Sequence, residues 1–233
     1  MKRLALASAI AGLAVSGSAH AAVNLITNGS FETGDTFAWD YSGAVGDPYP
    51  AAIIGYNNNL GYDDGAFGEL IPPDNSASGS PDPVGSYAAY FVSDFAAFET
   101  LSQDVFLNPG VYSIGFSVYI PFNGQGNPND AGFTGSVAGQ TLASFNIGSN
   151  PAGNWMHYYG VANILSAGTY TTAFTFSTGG YPAKDIVIDR VYLVKGDVGI
   201  VPEPATWAMM IVGFAGVGAT LRRRRASLAA ATA

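Results

Sequence analysis

Sixteen carboxylates stand between residues 22 and 200, against three bases, Lys184, Arg190 and Lys195, so that span carries a net charge of −13. It has nothing with which to neutralise phosphates, which argues against a nucleic-acid partner and leaves divalent cations and neutral sugars. One carboxylate stands out. In KDIVIDRVYLVK, residues 184–195, Asp189 has the parity of Val187, Val191 and Leu193. A carboxylate on an apolar strand face needs compensation. A cation would provide it, and so would an ion pair with Arg190 or Lys184, or a place capping a turn.

Flat aromatic rings stack on sugars while neighbouring Asn and Asp bind hydroxyls. Trp39, Tyr41, Tyr49, Tyr56, Tyr62, Phe122 and Tyr181 fall near expected loops and are candidates, with Trp39, Tyr41 and Tyr62 foremost. The same residue types pack cores, so both roles stay open for each. Trp155 lies mid-strand and reads as core. Catalytic chemistry has less to work with. Beyond residue 21 the only histidine is His157, inside WMHYY, with no serine elbow and no metal-ligand spacing around it. The chain has no cysteine, so no disulfide, thiol nucleophile or thiolate metal site can form. Carboxylates abound, but nothing singles out a pair for glycoside hydrolysis. The expectation is a protein that is not an enzyme.

These residues must be positioned by strands. Thirty glycines, 27 Tyr and Phe residues taken together and only 11% charged residues describe a strand-and-turn protein. The span 22–198 is long enough for one sandwich domain with its own core. Strands are expected at the short apolar start from Val23, at 51–56, 86–92, 98–107, 111–120, 154–161, 169–176 and 184–195. A hairpin over 135–147 should turn near Ala138-Gly139-Gln140. In 111–120, Ile114, Phe116, Val118 and Ile120 share one parity and Ser113, Gly115 and Ser117 the other, the period of a half-buried strand. Two Gly/Asn/Pro loops interrupt the series, 57–85 and 121–130. The first is acidic and long enough to be functional or disordered. No long helix is expected between the two ends of the chain, and no internal repeat is evident.

The ends are of another kind. Residues 1–21 read as a signal peptide: Lys2 and Arg3, an apolar centre from Leu4 to Val15, and a small-x-small cleavage site at Ala19-His20-Ala21. Such a signal implies the Sec export machinery. At the other end stand Pro202-Glu203-Pro204, then an uncharged stretch over 205–221, then Arg222, Arg223, Arg224 and Arg225. As a helix the stretch would be ~25 Å long, the short end of what crosses a bilayer. The prolines stop helix from spreading backwards, and the arginines hold the end in the cytoplasm. Hydropathy alone supports a plain transmembrane anchor.

The letters say more. PEPxxWA, carried by Pro202, Glu203, Pro204, Trp207 and Ala208, is followed by an apolar run and an arginine cluster. Over 201–225 this resembles the PEP-CTERM sorting signal. The resemblance implies an exosortase substrate of a Gram-negative bacterium, passing through an inner-membrane intermediate to the cell surface or extracellular matrix, often alongside exopolysaccharide. The body resembles carbohydrate-binding-like jelly-roll modules, on NGSFE and Trp39 at its start, TLSQDVFLNPGVYSIGFSV, SAGTYTTAFTF and the closing DIVIDRVYL. That similarity implies an all-β antiparallel sandwich. It also implies that Glu32 and Asp189 converge, with backbone oxygens, on a structural Ca2+, although Arg190 stands where many such modules have a second Asp. Taken together, the reading is an exported, surface-sorted, non-catalytic sandwich that binds exopolysaccharide. A secreted glycan-active enzyme and a ligand-free structural surface protein are the alternatives.

Overall fold

In the computed structural model the residues described are 22–43, 46–95, 97–196 and 213–214. The signal peptide, Pro202, Glu203, Pro204, Trp207, Ala208 and the four arginines lie outside them, as does most of the 205–221 stretch. Among the described residues no helix is long and apolar enough to cross a membrane.

Ten strands carry the body: β1 (Asp40–Ser42), β2 (Ala52–Gly55), β3 (Tyr87–Phe91), β4 (Ala97–Leu107), β5 (Gly110–Tyr119), β6 (Ala131–Val137), β7 (Gln140–Asn146), β8 (Trp155–Ile164), β9 (Gly168–Thr178) and β10 (Ile186–Lys195). A short helix, α1 (Phe122–Gln125), sits in the second predicted loop. The strands form two antiparallel sheets, ordered β1-β4-β9-β6-β7 and β2-β3-β10-β5-β8. From β3 onward the chain changes sheet at every connection except the β6–β7 hairpin. With the short edge strands β1 and β2 set aside, this is the strand order of a jelly roll. The hairpin turns at Ala138 and Gly139, both at positive φ (49° and 74°), as a tight two-residue turn requires.

Between the sheets lies a core rich in phenylalanine. Phe116 meets Phe174 edge-on at 4.9 Å, and Phe91, Phe133 and Phe176 pack around them. The side chains predicted to face inward from β5, Ile114, Phe116 and Val118, do so. Their neighbours Ser113 and Ser117 are buried as well. Ser117 is covered by the 57–85 segment, which lies over the outer face of the sheet containing β10 and brings the Ser76 hydroxyl to 3.1 Å from that of Ser117. Ala66 and Ile71 of that segment close a second core with Ile54, Tyr90, Tyr119, Trp155 and Val187. Trp155 donates its Nε1–H to the Pro72 carbonyl at 2.8 Å, which fixes the segment to β8.

Two expectations change. The start of the body is not a strand. It contributes one isolated bridge, Asn24 to Val194, and its turn is tied by side chains instead. The parity reading of β10 also fails beyond Asp189. A bulge there, with Arg190 at φ 50°, shifts the register between Asp189 and Tyr192. Val191 and Leu193 therefore join the inter-sheet core, while Val187 faces the second core on the outer side.

Candidate functional site

Loops 92–95, 120–130, 147–154 and 179–185 all leave the sandwich at one end, because each joins strand termini that the sheet register places side by side. A cleft of about 360 Å3 opens there, lined by Phe67, Asp94, Asn123, Asn127, Pro182 and Asp185 among others. Its floor is a carboxylate. Asp185, just before β10, is buried at 2% exposure. Its Oδ2 accepts the Tyr90 hydroxyl at 2.5 Å, and its Oδ1 makes no hydrogen bond of normal geometry, although the Asn127 side chain is near enough to favour the charged form. Burial pushes its pKa up to about 7, against the opposing effect of the Tyr90 hydrogen bond. Gly124 of α1 lies over it: a Cβ there would come within 2.6 Å of the Asp185 Cγ, so only glycine fits.

The walls are fixed independently of any ligand. Glu69 accepts the Phe122 and Asn123 N–H groups at 2.9 and 2.8 Å, pinning the start of α1 to the long loop. Asn123 reaches the Ala66 carbonyl at 2.9 Å and Asn127 the Ala183 carbonyl at 2.6 Å. Lys184 donates to the carbonyls of Gln125 and Asn127. Large aromatics stand in solvent beside these residues. Phe95 and Tyr181 stack at 5.8 Å and 29°, with Tyr181 61% exposed, and Phe122 is 67% exposed. Hydroxyl-binding groups next to exposed rings are what a sugar site requires.

The sequence candidates fall in several places. Trp39 is a correction: it is 6% exposed, packed on Phe31 and Phe174, with its Nε1–H on the Asn28 carbonyl at 3.1 Å. It is a core residue with no face left for a sugar. Tyr41 is half-buried against the same core. Tyr62 is half-buried between Tyr49 and Phe67, its hydroxyl on the Pro50 carbonyl at 2.5 Å, so it supports the cleft wall from behind. Tyr181 and Phe122 are exposed candidates whose chain neighbours, Pro182 and Asn123, line the cleft. Asp94, Asn123, Asn127 and Asp185 escaped notice as site residues. The available signal was the second Asn/Gly/Pro loop with an aromatic at its start.

Glu32 and Asp189 have separate partners. Glu32 accepts the N–H groups of Ser86 and Tyr87. Asp189 is fully buried, accepts the Tyr56 hydroxyl and its neighbour's N–H, from Arg190, and has its pKa raised by burial. The Arg190 guanidinium faces Asp74 at 3.6 Å. Among the described residues no group of three or more His, Cys, Asp or Glu is placed to hold a metal. His157 lies nearby, its Nδ1 3.0 Å from the Ser117 hydroxyl and its ring stacked on Tyr192 and Tyr159. Burial lowers its pKa to about 4, so it is neutral at pH 7.

Against known proteins, the model of the PEP-CTERM protein-sorting motif matches residues 201–225. No curated protein matches the chain. Among solved structures the body is similar to TmCBM61 in complex with β-1,4-galactotriose, at 23% identity over 75% of this chain and 99% of that one, TM-score 0.44. It is similar to the K3 cleaved adhesin domain of Lys-gingipain from Porphyromonas gingivalis W83, at 17% identity over 75% and 99%, TM-score 0.46. A third is CBM27-1 of Caldicellulosiruptor saccharolyticus in complex with mannohexaose, at 11% identity over 75% and 96%, TM-score 0.42. At these identities and scores the likeness carries no ligand across.

Proposed function

We propose that the chain is an exported surface or matrix protein, sorted by an exosortase through its C-terminal motif, whose sandwich binds exopolysaccharide at the loop-end cleft without catalysis of its own. The match over 201–225 supports the sorting. In this reading the signal peptide brings the chain to Sec, the apolar 205–221 stretch holds it in the inner membrane, and the arginines stop transfer until the tail is clipped. Binding rests on one observation: a cleft floored by the buried Asp185 carboxyl and lined by Asn123 and Asn127, next to the exposed Phe95–Tyr181 stack.

A second reading has its own support. The raised pKa of Asp185 keeps that carboxyl partly protonated near neutrality, and Asp94 lines the same cleft. A proton donor and a second carboxyl are the components of glycoside hydrolysis.

Affinity electrophoresis of the full chain through acidic and neutral polysaccharides tests both. Retardation by at least one polymer is expected, and its loss in a Tyr181→Ala, Phe122→Ala double variant. No retardation by any polymer would sink the binding reading. Release of reducing ends by the wild-type chain and not by Asp185→Asn would replace it with hydrolysis. For sorting, the C-terminus is read by mass spectrometry in cells with and without exosortase. A surface-located protein that keeps Trp207 and Arg225 where export works would show a permanent anchor instead.

A further inference from the structure

A second set of buried oxygens lies away from the cleft. Glu99, near the start of β4, is paired across the sheet with Phe176, on the inward face shared with Leu101. It is 0% exposed, and neither carboxylate oxygen makes a hydrogen bond of normal geometry, although the Ala51 N–H is near enough to favour the charged form. Tyr41 pairs with Leu101 from β1, which puts its ring on that same face, and its buried hydroxyl is unpartnered. The third member is Asp47, from the connection between β1 and β2. Its Oδ1 accepts the Tyr49 N–H at 2.9 Å, and its Oδ2 is buried without a partner. The Asp47 carboxyl lies near that of Glu99, and its negative charge adds to burial in raising the Glu99 pKa.

Among the described residues no protein cation answers them. Between residues 22 and 200 the bases number three. Arg190 is engaged with Asp74 and the Ser76 carbonyl, Lys184 with the carbonyls of Gln125 and Asn127, and Lys195 lies at the far end of β10 beside the Gly110 turn. Four buried oxygens without a hydrogen bond of normal geometry, converging in one place, are costly for a folded protein to keep. By contrast Asp189, equally buried, has a hydroxyl and an amide on it.

We infer that Tyr41, Asp47 and Glu99 form a calcium site between β1, the 46–50 connection and β4. The donor set is oxygen only, which suits a hard cation over zinc or copper. Two carboxylates offer up to four oxygens and the phenol a fifth, so backbone carbonyls and water complete a shell of six to eight. Magnesium, which keeps its waters and demands an octahedron, fits a dry pocket less well. The Tyr62 hydroxyl on the Pro50 carbonyl steadies the connection that carries Asp47.

The test uses the full chain stripped with EGTA. Extracellular calcium modules bind in the 10⁻⁴–10⁻³ M range, so 10 mM Ca2+ should raise Tm by about 3–8 °C. Glu99→Gln should abolish that rise while still melting cooperatively, because the amide donates to Asp47 in place of the ion. Tb3+ should show tyrosine-sensitised emission that Ca2+ displaces in the wild type, and that is lost in both Glu99→Gln and Asp47→Asn. A wild-type Tm indifferent to Ca2+ at pH 7 and pH 9 would overturn the site and leave a carboxyl pair sharing a proton. So would a full Ca2+ response in Glu99→Gln that disappears in Glu32→Gln or Asp189→Asn, since the ion would then sit at those residues. An equal response to Mg2+ would overturn the choice of calcium.

Discussion

Two buried acidic clusters flank this sandwich, and they are handled in opposite ways. Under the 57–85 segment, Asp74 and Asp189 are met by the Arg190 guanidinium, by Tyr56 and by backbone amides. At the start of β4, Asp47 and Glu99 meet each other, with no base among the described residues beside them. Charge buried with its compensation built in holds structure together; charge buried without it is costly and calls for a proton or a cation. The contrast also separates the bulge of β10 from ornament. The extra residue puts Asp189 and Arg190 on the same outer face, and so lets one strand carry both an acid and the base that reaches Asp74.

Breaking the compensated cluster should have the largest effect. Arg190→Met leaves Asp74 buried beside an apolar chain, and loss of one member of a buried pair costs about 3 kcal/mol. A urea midpoint lowered accordingly, and largely restored by adding Asp74→Leu, would confirm that the arginine serves the acid. A midpoint unchanged in Arg190→Met would show that the long segment is held by its apolar contacts alone.

The uncompensated cluster should respond with the opposite sign. Burial raises the Glu99 pKa to about 8, with the facing Asp47 adding to it. The folded state therefore binds this proton more tightly than the unfolded chain does. The stabilisation is complete below about 4.5, the ordinary glutamate value, and is lost as pH rises through 8. In EGTA, Glu99→Gln should be more stable than wild type at pH 9, by about 1–2 kcal/mol, and little different at pH 4. With Ca2+ present the order at pH 9 should reverse. His157 runs the other way: its pKa, lowered to about 4, makes stability full above 6.5 and lost as pH falls towards 4. His157→Gln should flatten that acid limb in a pH series of melting temperatures.

Much of the architecture could be read from the letters, because period-2 alternation and turn pairs are local signals. The strands at 98–107, 111–120, 169–176 and 184–195 and the Ala138-Gly139 turn lie close to where patterning puts them. What failed was non-local. One extra residue at Arg190 inverted the facing of half of β10, and no composition marks a bulge. Trp39 sits among turn residues and looks exposed in a one-dimensional reading, yet the fold brings Phe174 onto it from far along the chain. The cleft was hidden for the same reason. Asp94, Asn123 and Asp185 come from three separate loops, and only the register of β3, β5 and β10 places their ends together.

The smallest effect on stability belongs to the cleft, and that sharpens the contrast with both acidic clusters. Tyr181 and Phe95 stack on each other in solvent and bury little. Replacing an exposed side chain away from caps, pairs and cavities changes stability by no more than about 0.5 kcal/mol. Tyr181→Ala should therefore melt within about 2 °C of wild type, while losing on the order of 1–2 kcal/mol of polysaccharide binding, an amount read as a roughly 5- to 30-fold weaker dissociation constant. Binding unchanged with stability unchanged would mean the stack is merely surface. Binding unchanged with stability lost would mean the pair braces the 92–95 and 179–185 loops, and the sugar-facing surface would have to be sought on Phe122 instead.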